Sequence, residues 1–513
     1  MADALTARFE LDLVDEAATA ALAHRIAGFV APGDLVTLSG DLGAGKTVFA
    51  RALIRELVKD PELEVPSPTF TLMQIYDGER FPIVHADLYR IKSPSELAEL
   101  GWDEAAEGAV VLVEWAERAG SELPADRLDI ELRLNIARGT QYRKVVLTGS
   151  GVYAERLARA LSLESLLAHA GWTDARRTFM LGDASTRAYE RLEKDDGSRA
   201  ILMISPRRAD GPPVRYGKPY SAIARLAEDI APFIAIDHAL RGQGFSAPEI
   251  YADDKDNGLA ILEDLGGQGI VDDNGPIPER YAAAVGVLAA LHARKLPDSV
   301  DAKPEPYRIP PYDLDALTIE IELLVGWYAP HIAKANLASG ARATFVNLWR
   351  ELLVEIVAAP RTWTLRDYHS PNLLWLPDRE GLGKVGLLDF QDCVMGHPAY
   401  DVASLLQDAR VTVPDGLEMQ LLGHYLRQRR ESDPTFNIEA FARAYAIMGA
   451  QRATKVLGIF ARLDKRDSKP QYLAHIPRIR HYLRKDLAHP ALAGIKNWYE
   501  TNLPLVLAKD ESE

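Results

Sequence analysis

Two stretches of this 513-residue chain carry residue types spaced for phosphate chemistry. The first, "SGDLGAGKT", sets Gly40, Gly43, Gly45, Lys46 and Thr47 in a G-x-x-x-x-G-K-[ST] loop. Glycines there let backbone N–H groups approach the phosphates of ATP, the lysine neutralises the β- and γ-phosphates, and the threonine hydroxyl can ligate Mg²⁺. The second, "TLRDYHSPNLLWL" (364–376), has Asp367 followed five residues later by Asn372, and "KVGLLDFQD" then delivers Asp389 after an apolar run. An Asp so placed can accept the proton of a substrate hydroxyl, while an Asn and a second Asp can hold Mg²⁺ across the phosphates.

Each pattern needs elements to position it. "DLVTLSG" (34–40) reads as a buried strand running into the first loop, and "KTVFARALIRELVKD" (46–60) as the helix leaving it. "PIVHADLY" (82–89) and "AVVLVEWA" (109–116) read as strands that deliver Asp87 and Glu114 at their ends. Glu114 there can hold metal-bound water or activate the attacking one. Either acid alone is an ordinary strand-end carboxylate; with the loop, the pair points to ATP hydrolysis. "SPSELAELGWDEA" (93–105) reads as a capped helix, and "RLDIELRLN" with "RKVVLTG" as a strand pair. This alternation predicts a mainly parallel sheet covered by helices over residues 1–150.

"GSGVY" predicts a linker over 151–160, with the amphipathic helix in "AERLARALSLESLLAHAGW" opening a second unit. Short strands and turns fill 161–268, and long helical segments fill 269–513, a bilobal arrangement. In the small lobe, "LGDASTRAYERL" offers a phosphate-covering turn through Gly182, Ser185 and Arg187. "AILEDLG" (260–266) offers backbone groups to adenine around Glu263 and Leu265. The strand "AILMIS" has Met203 where a phosphate-pairing lysine is expected. Either Arg187 or Arg191 then covers the phosphates, or the site is not catalytic.

Net charge is −15, and residues 1–150, with 25 acidic and 15 basic side chains, hold −10 of it. Such a surface repels nucleic-acid backbones, which argues against extensive direct binding of RNA or DNA. No run of eighteen uncharged apolar residues and no basic-then-apolar start occurs, so neither a membrane span nor a secretory leader is predicted. A single cysteine, Cys393, excludes an internal disulfide and fits a reducing, cytoplasmic setting. Cys393, His238 and His292 read as packing or helix residues, because no triad or ligand set accompanies them. Arg452 and Lys455 read either as solvent-facing charges on a long helix or as cations within reach of an acidic substrate group.

The ordered set "GDLGAGKT…SPTF…HADLYR…VEWAE" resembles the TsaE family over roughly 5–150. The resemblance implies an ATPase that supports threonylcarbamoyladenosine formation on tRNA through TsaD–TsaB partners and does not modify RNA itself. It also implies a nucleotide-sensing switch from Ser67 to Phe70, including Thr69, and nucleotide and Mg²⁺ chemistry at Asp87 and Glu114. Residues 160–500 resemble the aminoglycoside-phosphotransferase superfamily, and within it the AmgK-type anomeric kinases of N-acetylmuramate and N-acetylglucosamine. The resemblance runs through "GDASTRAY", "AILMISP", "APEIYADDKDNGLAILEDLG", "LRDYHSPNLLWL" and "LLDFQDCVMGHPAYDVASLLQDAR".

That branch likewise tends to lack the small-lobe lysine. By resemblance Asp367 is the base for the sugar 1-hydroxyl, Asn372 and Asp389 are metal ligands, and Asp401 in "HPAYDVA" buttresses the catalytic loop. Read as residues, Arg452 and Lys455 either reach the anionic lactyl group of muramate or are solvent-facing charges on a long helix. The whole therefore reads as an α/β P-loop NTPase domain followed by an α+β bilobal protein-kinase-like domain, both using ATP and Mg²⁺, the second with a small amino-sugar substrate. Two alternatives stand: a non-catalytic binding scaffold, and a kinase of another alcohol such as choline or an aminoglycoside. Aminoglycosides need an acidic cleft, which the near-neutral second half supports only weakly.

Overall fold

Buried residues alternate between the two faces of each central strand in the first half of the chain, so both faces of its sheet are covered. The computed structural model describes residues 6–78, 81–93, 96–99, 102–120, 122–180, 187–207 and 211–508. It divides into two units, Met1–Thr173 and Asp174–Glu513.

The first unit is built on seven strands: β1 (Thr6–Leu13), β2 (Leu35–Ser39), β3 (Met73–Asp77), β4 (Pro82–Asp87), β5 (Val110–Glu114), β6 (Leu128–Leu134) and β7 (Arg143–Ser150). They lie in the order β1-β7-β6-β2-β5-β4-β3, with β6, β2, β5 and β4 mutually parallel and the outer pairings antiparallel. Val36, Leu38, Val110 and Leu112 pack toward the helices Glu16–Ala27 and Lys46–Val58, while Leu35, Val111 and Val113 pack on the other face with Leu88 and Ile91. Continuous apolar runs of this kind belong to strands buried on both sides. Of the segment expected as one capped helix, the described residues Glu96–Glu99 and Trp102–Ala106 are helical.

The expected linker at 151–160 is corrected by the structure. Val152–His169 is a continuous helix, and it closes the first unit instead of opening the second. Tyr153 and Leu157 join the first unit's core, the Tyr153 hydroxyl accepts the Leu35 N–H at 3.0 Å, and Arg156 pairs with Asp34 at 2.9 Å. Glycines at 149 and 151 suggested a joint, but Gly151 serves only as a turn (φ 61°) before the helix.

The second unit opens with a five-stranded antiparallel sheet: β8 (Arg176–Met180), β9 (Ala188–Glu193), β10 (Arg199–Ile204), β11 (Ile250–Asp254) and β12 (Leu259–Glu263), in the order β11-β12-β10-β9-β8. Long helices follow, among them Pro278–His292, Leu314–Leu323, Ser339–Ala358, Asp415–Ser432 and the 30-residue Ile438–Asp467. The last starts where the Asn437 side chain accepts the Ala440 N–H at 3.0 Å, an N-cap that satisfies a donor the helix leaves open. It crosses Leu314–Leu323 at Gly458, where a Cβ would lie 2.4 Å from the Leu323 carbonyl carbon. The β-rich and helical portions are the two lobes expected from the sequence. Among the described residues no helix is long and apolar enough to cross a membrane.

Candidate functional site

Three strand ends of the first unit meet in one row, since Glu114 is in register with both Leu38 and Asp87. The carboxyl ends of parallel strands are where ligands bind in such sheets. Gly40 leaves β2 at φ 126°, and a Cβ there would lie 2.1 Å from the Leu132 carbonyl oxygen, so the turn demands glycine. Gly43 and Gly45 are also left-handed (φ 79° and 106°), and Gly45 precedes the first helical residue, Lys46.

Lys46 is buried; its Nζ donates to the carbonyls of Gly40 (2.6 Å) and Asp41 (3.0 Å) and lies 3.6 Å over the Trp115 ring. Burial lowers its pKa, against the opposing pull of Glu114, Glu117 and Asp87. The Thr47 hydroxyl donates to Glu114 Oε2 at 2.9 Å, and His85 Nε2 lies 3.0 Å from Glu114 Oε1. Asp87 Oδ2 accepts from Thr69 at 2.9 Å and from Ser67, while its Oδ1 accepts the Tyr89 N–H at 2.9 Å. Two hydrogen-bonded groups therefore stand at one end of the sheet, Thr47 and His85 on Glu114 beside the loop, and Ser67 and Thr69 on Asp87. His85 and Trp115 were missed by the sequence reading. A lone histidine inside an apolar strand was the available signal.

The second unit encloses a cavity of about 640 Å³ whose wall includes Asp367, Asn372, Asp389, Arg187, Glu263, Leu265 and Met203. The loop that carries Asp367 is held by Asp401. Asp401, fully buried, accepts the backbone N–H groups of Leu365 (2.7 Å) and Arg366 (2.8 Å), which lets Arg366 take φ 66°. Asn372 Nδ2 donates to the Asp367 carbonyl at 2.9 Å, leaving its side-chain oxygen as the atom suited to a cation. Asp389, at φ 57°, accepts from Gln391 at 3.0 Å and meets the Arg187 guanidinium at 2.5 Å. Arg187 thus lies at the cavity, whereas Arg191 pairs with Asp264 at 3.1 Å. Met203 is buried in β10 opposite Ala260 and Tyr189. The Glu263 N–H donates to the Glu249 carbonyl at 2.7 Å, and its carboxylate meets Arg379 at 2.5 Å. Gly182 and Ser185 lie outside the described residues.

Charge around Asp367 has a definite sign. Burial pushes its carboxyl up, but His369, Lys455, Arg366 and Arg452 outweigh that and hold it below the usual carboxylate range. Behind it, fully buried Glu320 accepts from Arg366 (2.5 Å), Lys455 (2.8 Å), Tyr312 (2.5 Å) and Gln451 (3.1 Å). The solvent-facing reading of Arg452 and Lys455 fails: both line the cavity, at 6% exposure for Arg452 and 12% for the Lys455 side chain. His292 is a core histidine 2.9 Å from the Tyr425 hydroxyl, Cys393 is buried, and His238 is exposed on its helix.

Among the described residues no group of three or more His, Cys, Asp and Glu side chains could hold a metal ion. The pairs Thr47–Glu114 and Asn372–Asp389 instead suit Mg²⁺ brought with a nucleotide, which takes one or two protein oxygens and completes its shell with phosphate and water.

Two family profiles match the chain: "Threonylcarbamoyl adenosine biosynthesis protein TsaE" over residues 13–144 and "Phosphotransferase enzyme family" over residues 177–446. The N-acetylmuramate/N-acetylglucosamine kinase of Caulobacter vibrioides is 37% identical over 358 residues, 68% of this chain and 97% of that protein. The tRNA threonylcarbamoyladenosine biosynthesis protein TsaE of Rickettsia felis is 42% identical over 124 residues, 24% of this chain and 72% of that protein. The crystal structure of Bacillus subtilus YdiB is 34% identical, covers 31% of this chain and 97% of that one, and gives a TM-score of 0.26.

Proposed function

Because the chain belongs to the TsaE family through its first unit and to the phosphotransferase enzyme family through its second, we propose that it is a bifunctional enzyme. The second unit phosphorylates the anomeric hydroxyl of N-acetylmuramate or N-acetylglucosamine, as cell-wall recycling requires, and the first turns over ATP in support of tRNA threonylcarbamoyladenosine formation. One observation carries the kinase reading: a single cavity brings Asp367, Asn372 and Asp389 together beside a cationic wall of Arg410, Arg452 and Lys455. Beside Asp367 these cations favour a neutral or acidic sugar over a cationic acceptor such as choline or an aminoglycoside.

In the transfer, Asp367 takes the proton of the 1-hydroxyl as that oxygen bonds to the γ-phosphorus. The bond from γ-phosphorus to the β,γ-bridging oxygen breaks, and ADP leaves with the electron pair. Positive neighbours keep Asp367 ionised for this role. Arg187, fixed on Asp389, is the cation that stands in for the missing lysine. Asn372 and Asp389 are the residues that would hold Mg²⁺, which neutralises phosphate charge when bound.

In the first unit Lys46 receives the β- and γ-phosphates, Thr47 and Glu114 serve Mg²⁺ and water, and His85 orients Glu114. The hydrogen bonds from Ser67 and Thr69 to Asp87 give that segment a way to sense the nucleotide. An acidic surface suits action through TsaD–TsaB-type protein partners over direct contact with RNA. The test is phosphate transfer from ATP by the full chain to N-acetylmuramate, N-acetylglucosamine, choline and kanamycin, with product position read by phosphorus NMR. An anomeric sugar phosphate is the expected product. Transfer to none of the four would overturn the kinase reading in favour of a binding scaffold.

A further inference from the structure

The cations in the wall of the second unit's cavity are not equivalent. Arg187 meets Asp389, and Lys455 meets Glu320 at 2.8 Å and the Tyr400 hydroxyl at 3.1 Å. Arg410 lies 3.5 Å from His369 Nε2. Arg452, at 6% exposure, meets no carboxylate and no hydrogen-bond acceptor among the described residues. A guanidinium in a cavity wall whose donors no protein group takes up is open to an anion that arrives with a ligand.

Its position says which ligand. Arg452, Lys455, Val456, Ile459, Phe460 and Leu463 all line the cavity. Their spacing of three and four places them on one face of the helix Ile438–Asp467. That face begins with charge and continues as an apolar and aromatic surface, extended by Tyr472, whose ring lies 5.5 Å from that of Phe460. Lys455, three residues on from Arg452, meets Glu320, which also holds Arg366, the neighbour of Asp367, whereas Asp389 is answered by Arg187. This helix face therefore stands beside Asp367, where the acceptor hydroxyl lies in the proposed reaction, and the charge of Arg452 bears on Asp367.

We propose that Arg452 is a specificity residue that pairs with a carboxylate on the acceptor, making acidic amino sugars better substrates than their neutral counterparts. This rests on the amino-sugar kinase reading above. The other possible anion is a phosphate of the nucleotide, and the same experiment separates the two. Values of kcat/KM for N-acetylmuramate and N-acetylglucosamine, and KM for ATP, are measured on the full chain and on Arg452→Gln and Arg452→Lys. The ratio of acidic to neutral sugar falls about tenfold or more in Arg452→Gln, the usual effect of losing a charge-assisted hydrogen bond. Arg452→Lys, which keeps the charge and loses the planar fork, gives an intermediate ratio and carries the test if the glutamine variant does not fold.

An unchanged ratio overturns the proposal. So does an equal loss for both sugars accompanied by a raised KM for ATP, which would make Arg452 a phosphate reader. If the native chain phosphorylates neither sugar, the kinase reading has failed. Calorimetric binding of N-acetylmuramate beside a non-hydrolysable ATP analogue then decides. Binding that is lost in Arg452→Gln upholds the subsite, and no binding to the native chain overturns it.

Discussion

At the scale of single residues, the second unit holds charge in some buried places and suppresses it in others. Asp237, on the helix Ala231–Gly242, is fully buried, and neither carboxyl oxygen has a hydrogen-bond partner among the described residues. Burial raises its pKa to about 8, with Glu263 and Glu249 adding to the rise and Arg241 opposing it. The folded protein therefore keeps a proton that the unfolded chain releases near pH 4. Stability from this group is present below the unfolded value and is lost as pH rises toward 8, by roughly 1.4 kcal/mol per pH unit. Asp237→Asn should flatten that slope and stabilise the second unit at pH 8, which urea unfolding at pH 5 and pH 8 would reveal. Glu320 is the opposite case, an ionised carboxylate that answers two buried cations. Glu320→Gln leaves Arg366 and Lys455 uncompensated and should cost about 3–5 kcal/mol, measured the same way. Asp367, Asn372 and Asp389, which line one cavity, could be picked out because their order and spacing are local, whereas Asp401 came only through the family resemblance. Glu320 was not, since its partners are 46 and 135 positions away and no local pattern links them.

At the scale of elements, two glycines are decisive. Gly458 lets the long helix approach Leu314–Leu323, and Gly40 lets β2 turn under the Leu132 carbonyl. Gly458→Ala should destabilise the second unit by about 1–3 kcal/mol, the usual cost of overpacking, and leave nucleotide binding by the first unit intact. The central strands and the loop-bearing helix were legible from apolar runs and glycine placement. The helix Val152–His169 was recognised as a helix but assigned to the wrong unit. Periodicity reports that a helix has a buried face and is silent about which core receives it. The decisive partners, Leu35 and Asp34, lie some 120 residues earlier.

At the scale of the whole molecule, the boundary after Thr173 has a consequence for dissection. A fragment ending at residue 150 lacks Tyr153, Leu157 and the Arg156–Asp34 pair. It should be less stable than residues 1–173 by about 4 kcal/mol, counting roughly 2 for each large side chain returned to water; thermal melts of the two fragments would check this. That the chain joins two different families was legible from motifs alone. Arg452 and Lys455 could be named from the sequence, three apart on one helix, but that they line a cavity together with Arg410 needed the fold. The central claim is that the sites are separate enzymes. The measurement closest to it pairs Asp367→Asn with Lys46→Ala in the full chain, scoring sugar phosphate formation and the number of ATP sites titrated by calorimetry. Asp367→Asn should cut sugar phosphorylation by about 10²–10⁴-fold while both ATP sites remain. Lys46→Ala should abolish one ATP site and leave sugar phosphorylation in place. Loss of sugar phosphorylation and of ATP binding at the first site from either substitution alone would contradict the account.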